Sequence, residues 1–152
     1  MGRNINKKVS SILRSVRYAT VSTVDENGAP WAAPVWYVAD NKDNIYWWSP
    51  ADSQHSKNIA LDSNIYITIF DSTAPEGEGI GLYLRAEAYE VDGSDLDLAI
   101  NLYNKSTKLF KLNRENCTGN APTRIYKATT SQQWINDGIE QDGFYIDKRV
   151  DI

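Results

Sequence analysis

From residue 17 to about residue 91, apolar and polar positions alternate with a period near two, the pattern of strands buried on one face. In 64–71, Ile65, Ile67 and Ile69 share one face while Tyr66, Thr68 and Phe70 share the other. In 82–91, Leu82, Leu84, Ala86 and Ala88 oppose Tyr83, Arg85, Glu87 and Tyr89. Three further strands are predicted at 18–24, 31–38 and 45–49. The polar clusters Asp25-Glu26-Asn27-Gly28 and 40–44 separate them as turns, with Gly28 free to take positive φ.

Elsewhere the period shifts to that of a helix. Ile5, Val9, Ile12, Leu13 and Val16 make one face of a helix over 5–16. A short helix is expected over 53–61. A longer one runs from Ser94 to about Lys111, where Ser94 and Asp97 form a capping-box-like start and Leu96, Ala99, Ile100, Tyr103 and Phe110 a buried face. Residues 113–122 read as loop, 124–129 and 133–135 as one or two strands, and the tail from Gly143 as mixed. Short strands linked mostly by tight turns predict a closed antiparallel sheet or a sandwich, in one domain over 1–152.

Composition narrows the chemistry. A net charge of −4 speaks against nucleic acid or an anionic membrane as the main partner. No apolar run is long enough to cross a bilayer, and the polar start MGRNINKK is unlike a secretory signal, so a cytoplasmic protein is expected. Cys117 and His55 are the single cysteine and the single histidine, which leaves neither an internal disulfide nor a Cys/His zinc site within one chain.

The segment richest in chemistry is YWWSPADSQHSKNIALD, 46–62. A strand delivers Trp47, Trp48 and Ser49; Ser53, Gln54, His55, Ser56 and Lys57 follow at the start of the short helix. Unpaired N–H groups and the positive end of a helix dipole favour an anion there, and hydroxyls, amide, imidazole and ammonium add donors. A phosphate monoester suits that donor set; a solvated helix start has the same composition, and both readings stand on spacing alone. Five tryptophans, at 31, 36, 47, 48 and 134, exceed what a small core needs, and a flat ligand or a second subunit would use the surplus.

In order and phrasing the chain resembles the FMN-binding split barrels of the pyridoxamine 5'-phosphate oxidase type. The phrases are YATVSTVDENGAP (18–30), WWSPADSQHSKNI (47–59), NIYITIFDS (64–72), GIGLYLRAEAYEV (79–91), RIYKATTSQQWIND (124–137) and DKRV (147–150). The resemblance implies a mainly β fold, an antiparallel six-stranded split β-barrel with peripheral helices. It also implies FMN as cofactor, held between the subunits of a homodimer that handles a small-molecule substrate or electron donor. By position it places Trp48 and Ser49 beside the flavin ring and Ser53, Gln54, His55 and Lys57 at its phosphate. Trp134 and Arg149 would reach the flavin across the dimer.

Two departures qualify what the resemblance implies. Ala32 and Tyr37 stand where the family offers an arginine and a lysine from the second strand, so the phosphate site has fewer cations. The C-terminal arginine-x-histidine element that grips pyridoxamine phosphate is missing, since no histidine follows His55; a flavin-dependent oxidoreductase of another kind is expected instead. Related barrels hold haem or the deazaflavin F420, or serve as interaction modules. Haem would draw on His55 or Tyr37 as axial ligand.

Overall fold

In the computed structural model, which describes residues 2–152, one antiparallel sheet closes on itself. Its strands are β1 (Tyr18–Val24), β2 (Pro30–Ala39), β3 (Ile45–Pro50), β4 (Asn64–Phe70), β5 (Gly81–Glu90), β6 (Thr123–Gln141) and β7 (Phe144–Asp151). The order is β3-β2-β1-β4-β5-β6-β7, and pairing of β3 with β6 closes six strands into a barrel that β7 extends. Three helices stand around it: α1 (Gly2–Ser15), α2 (Gln54–Leu61) and α3 (Gly93–Ser106).

The alternation read from the sequence is the inside and outside of this barrel. Ile65, Ile67, Ile69, Leu82, Leu84, Ala86 and Ala88 line its interior with Val21, Val35, Ile45, Trp47, Tyr126 and Ile135. Each large side chain among them contributes about 1.5–3 kcal/mol by leaving water. α1 caps the interior with Val9, Ile12 and Leu13, and the Tyr37 hydroxyl donates to the Leu13 carbonyl at 3.2 Å. A second apolar cluster lies outside the wall, where Leu96 and Ala99 of α3 cover Val38, Tyr46 and Ile125.

Three elements differ from the sequence expectation. α3 starts one residue earlier, after Asp92, and stops at Ser106; Asp97 pairs with Arg114 rather than closing a capping box with Ser94. Phe110 therefore sits in a loop, half exposed, instead of on a helix face. Of the one or two strands expected over 124–129 and 133–135, the structure makes one, β6, which runs on to Gln141 and carries an irregularity. Arg85 pairs Gln132 and Ala86 pairs Thr130, so Ser131 is an extra residue that bulges the ladder and hides its period. The mixed tail is β7, paired with β6 along its whole length.

The barrel is split where β2 and β3 diverge. Their pairing covers only Tyr37↔Trp47, Val38↔Tyr46 and Ala39↔Ile45, so β2 from Pro30 to Trp36 has β1 on one side and a free edge on the other. Pro30 and Pro34 are tolerated there because a strand edge spares a residue without an N–H.

Asp40 ties the β2–β3 turn. It accepts from the backbone N–H of Lys42 (2.8 Å) and Asn44 (3.0 Å), from Asn44 Nδ2 (2.8 Å) and from the hydroxyl of buried Tyr46 (3.1 Å). Burial alone would raise its pKa; these four donors outweigh burial and hold it below the usual carboxylate range. Burial and the Asp40 contact push Tyr46 up to about 12. Asp40→Ala strands the Tyr46 hydroxyl and is expected to cost about 1–3 kcal/mol in urea unfolding. With a depressed folded pKa, the Asp40 contribution is complete above the ordinary value of about 3.9. The part tied to its ionisation is lost as the pH falls through the lower folded value, so the wild-type advantage over Asp40→Ala should shrink in strong acid.

Candidate functional site

β3 and α2 together build the polar site at the split end of the barrel. Pleating sends Trp47 and Ser49 inward and Trp48 outward, and the chain turns at Pro50 into α2, whose first residues fold back over Ser49. Ser56 Oγ donates to the Pro50 carbonyl at 2.9 Å, and Ser53 Oγ donates to Ser56 Oγ at 2.9 Å. With the Ser53 hydrogen committed, His55 Nε2 must carry its proton to face Ser49 Oγ at 2.9 Å and Ser53 Oγ at 3.2 Å. The network so assigns the tautomer and leaves the Ser49 hydroxyl hydrogen uncommitted. Burial holds the His55 pKa below its ordinary value, so the ring is neutral at pH 7.

Ser53 occupies the N-cap of α2, yet its side chain makes no capping bond to the backbone. The N–H groups of Gln54, His55 and Ser56 consequently have no acceptor among the described residues. Gln54 Nε2 donates to Asn58 Oδ1 (2.8 Å), and Asn58 Nδ2 to Thr23 Oγ1 (2.9 Å), a buried pair that fastens α2 to β1. Lys57 is exposed and makes no salt bridge among the described residues. It stands between two shallow clefts. One, of about 520 Å³, is bordered by Asp25, Glu26 and Gln54. The other, of about 420 Å³, is bordered by Ser56, Glu90 and Tyr126.

Trp134 and Arg149 form a separate group on the outer face of β4–β7. Trp134 stacks on Tyr66 with centroids 6.2 Å apart, beneath the Arg85 guanidinium at 5.6 Å. The Arg149 guanidinium lies 4.2 Å from the Tyr83 ring centre, and Nη1 donates to the Tyr66 hydroxyl at 3.4 Å. Tyr66, Tyr83 and Arg85 belong to this patch although the sequence reading gave them no role; their outward alternation marks them, but the register that gathers them is non-local.

The structure thus brings Ser49, Ser53, Gln54, His55 and Lys57 together and Trp134 with Arg149, in two places. Ser49 pairs with Arg124 at the start of β6, and Trp134 comes ten residues later. At about 3.4 Å per residue the two positions lie up to about 34 Å apart along the strand. Trp48 is in a third place. It stacks on Phe110 (5.6 Å, 11°) and meets the edge of Tyr103 (6.1 Å), on the opposite face of β3 from Ser49. Another feature, legible only from pairing, is the free edge of β2 with Trp31 half exposed beside it.

His55 makes the pH response of the fold testable. Because its folded pKa is depressed, the unfolded chain binds the proton more readily. Stability is complete above the unfolded value of about 6.5 and declines as the pH drops below it toward the folded value. Chemical denaturation at pH 7.5 and 5.5 should show this loss, and His55→Gln should abolish the part contributed by the imidazole.

The family model described as pyridoxamine 5'-phosphate oxidase matches residues 5–129. Among solved structures, the chain superposes on the heme binding protein of Mycobacterium smegmatis at 16% identity and TM-score 0.68, covering 91% of this chain and 55% of that one. It therefore spans about half the length of that protein. The heme storage protein HutZ of Vibrio cholerae matches at 14% identity and TM-score 0.69, covering 83% and 89%. General Stress Protein 26 of Bacillus anthracis matches at 16% identity and TM-score 0.62, covering 87% and 93%. At such identities the likeness is one of fold. No curated protein matches the chain.

Proposed function

Since this chain belongs to the pyridoxamine 5'-phosphate oxidase family, we propose that it is a homodimeric, cytoplasmic FMN-binding flavoprotein, an oxidoreductase acting on a small molecule other than pyridoxamine phosphate. The observation that carries the reading is the open start of α2. Three N–H groups without acceptors, the second N–H of the Gln54 amide and the Lys57 ammonium form a donor set that a phosphate monoester fits. His55 serves this set by holding Ser49 and Ser53 in place; being neutral and buried, it adds no charge. Trp134 and Arg149, too distant in their own chain, would complete the site from the second subunit. Bound flavin would supply the hydride or electron transfer, while the protein binds, orients and shields it.

The haem reading finds less support in the site, although two of the similar folds bear haem names. His55 Nε2 is engaged by two serine hydroxyls, and the Tyr37 hydroxyl is spent on Leu13 with its pKa pushed up by burial. Iron at Nε2 or at the Tyr37 oxygen would break those bonds, which leaves Nδ1 of His55 as the one imidazole nitrogen without a partner among the described residues. No helix is long and apolar enough to cross a membrane.

The test is a titration of the purified protein with FMN, riboflavin and haemin, followed by gel filtration and a visible spectrum. Retained FMN with weak riboflavin retention supports the phosphate site. Equal retention of both flavins would sink that site, and a haem Soret band without flavin would sink the flavoprotein reading.

A further inference from the structure

The β6–β7 hairpin leaves the barrel. Pairing of β5 with β6 ends at Leu82↔Ile135, and from Gly138 to Gln141 β6 has only β7 beside it. A two-stranded ribbon is marginal in water by itself. On one face, Ile139 pairs Ile146 and Gln141 pairs Phe144, continuing the inward side of Ile135 and Val150 past the rim of the barrel; the opposite face carries Glu140 beside Tyr145 and Asp147 beside Gly138. Phe144 is 72% exposed and Tyr145 66%. Between residues 138 and 147 the arm carries Glu140, Asp142 and Asp147 and no cation.

A second exposed apolar patch carries the opposite charge. After α3 the chain runs Lys105-Ser106-Thr107-Lys108-Leu109-Phe110-Lys111, with three lysines and no acid. Leu109 is 97% exposed and Phe110 49%. Patches of this kind mark contact surfaces.

We infer that the acidic β6–β7 arm of one copy docks on the lysine-bearing end of α3 in a second copy through the face that carries Tyr145, Glu140 and Asp147, the ring against Leu109 and Phe110 and the carboxylates against the ammoniums. A twofold axis satisfies both contacts at once, since each copy owns one arm and one α3 end. The docking also deepens the dimer proposed above, on which it rests. Phe110 stacks on Trp48, next in sequence to Ser49, and the root of the arm carries Trp134 and Arg149.

The experiment is sedimentation equilibrium of the full chain over a concentration series. One variant is Lys105→Glu with Lys108→Glu, a second is Glu140→Lys with Asp147→Lys, and a third combines all four. Lys111, which donates to the Asn104 and Thr107 carbonyls, and Asp142, at φ 52° in the turn, are left alone so that the fold is kept. Far-UV circular dichroism verifies folding. Each reversed pair should weaken dimerisation about 100-fold and the combined variant should regain most of it, with wild-type association falling as salt rises. A wild-type dimer indifferent to either reversal, or weakened variants that the combination does not rescue, would overturn the docking and leave the dimer standing. A monomeric wild type would overturn both.

Discussion

Trp47→Ala is expected to lose about 3–5 kcal/mol of folding stability, the scale of emptying a large aromatic site in a core. Trp47 is 1% exposed and stands at the seam of the barrel, paired with Tyr37 on β2 and Tyr126 on β6. Its indole stacks on the Tyr126 ring at 5.8 Å and 19°. Removing it opens a cavity against both strands that close the sheet, where neighbouring backbone is least free to collapse. Against a total of about 5–15 kcal/mol for a domain of this kind, the loss should leave a measurable unfolded population. Urea unfolding followed by far-UV circular dichroism reads it as a lower midpoint at unchanged slope. Two companions locate the cause. Trp31→Ala, at a half-exposed position on the free edge of β2, should stay within about 0.5 kcal/mol. Trp47→Phe keeps a ring and removes an indole N–H that has no partner, so it should be much milder than the alanine. Equal losses for Trp31 and Trp47 would contradict the placement of the core.

The contrast between those tryptophans shows what the sequence could and could not reveal. Alternation in 64–71 and 82–91 identified both the strands and their inward faces, because a side-chain period of two needs no knowledge of the partner strand. Helix α2 was legible from its polar start. The seam was not: β3 meets β6 across more than seventy residues, and nothing local to Trp47 distinguishes it from Trp48, one residue on and on the other face. The bulge at Ser131 broke the period of β6, and β7 carries too many outward polar residues to read as a strand until β6 pairs it. In the site, the residues of one segment, Ser49 to Lys57, were found together because local chain geometry gathers them. Tyr66, Tyr83 and Arg85 join Trp134 and Arg149 only through register, so spacing could not announce them.

Lys57→Ala and Arg149→Ala should each weaken FMN binding about 10- to 100-fold, the loss of one charge-assisted contact. Both side chains are exposed, so neither change should move the unfolding midpoint appreciably. The loss should be steep at Lys57 because Asp25, Glu26 and Glu90 border the clefts beside it, leaving that ammonium to offset both their charge and the phosphate. For the same reason wild-type affinity should fall as salt rises, and riboflavin should bind equally to wild type and Lys57→Ala. Mixing the two variants separates the arrangements open to them. If each site takes Lys57 from one subunit and Arg149 from the other, random exchange makes half the dimers mixed. Each mixed dimer has one site with both residues intact, so about a quarter of all sites should regain wild-type affinity. A fluorescence titration of the equilibrated mixture would show a tight fraction absent from either variant alone. If Arg149 serves the site of its own subunit, or none, no tight fraction can arise, because every site that keeps Lys57 then has the affinity of an unmixed variant.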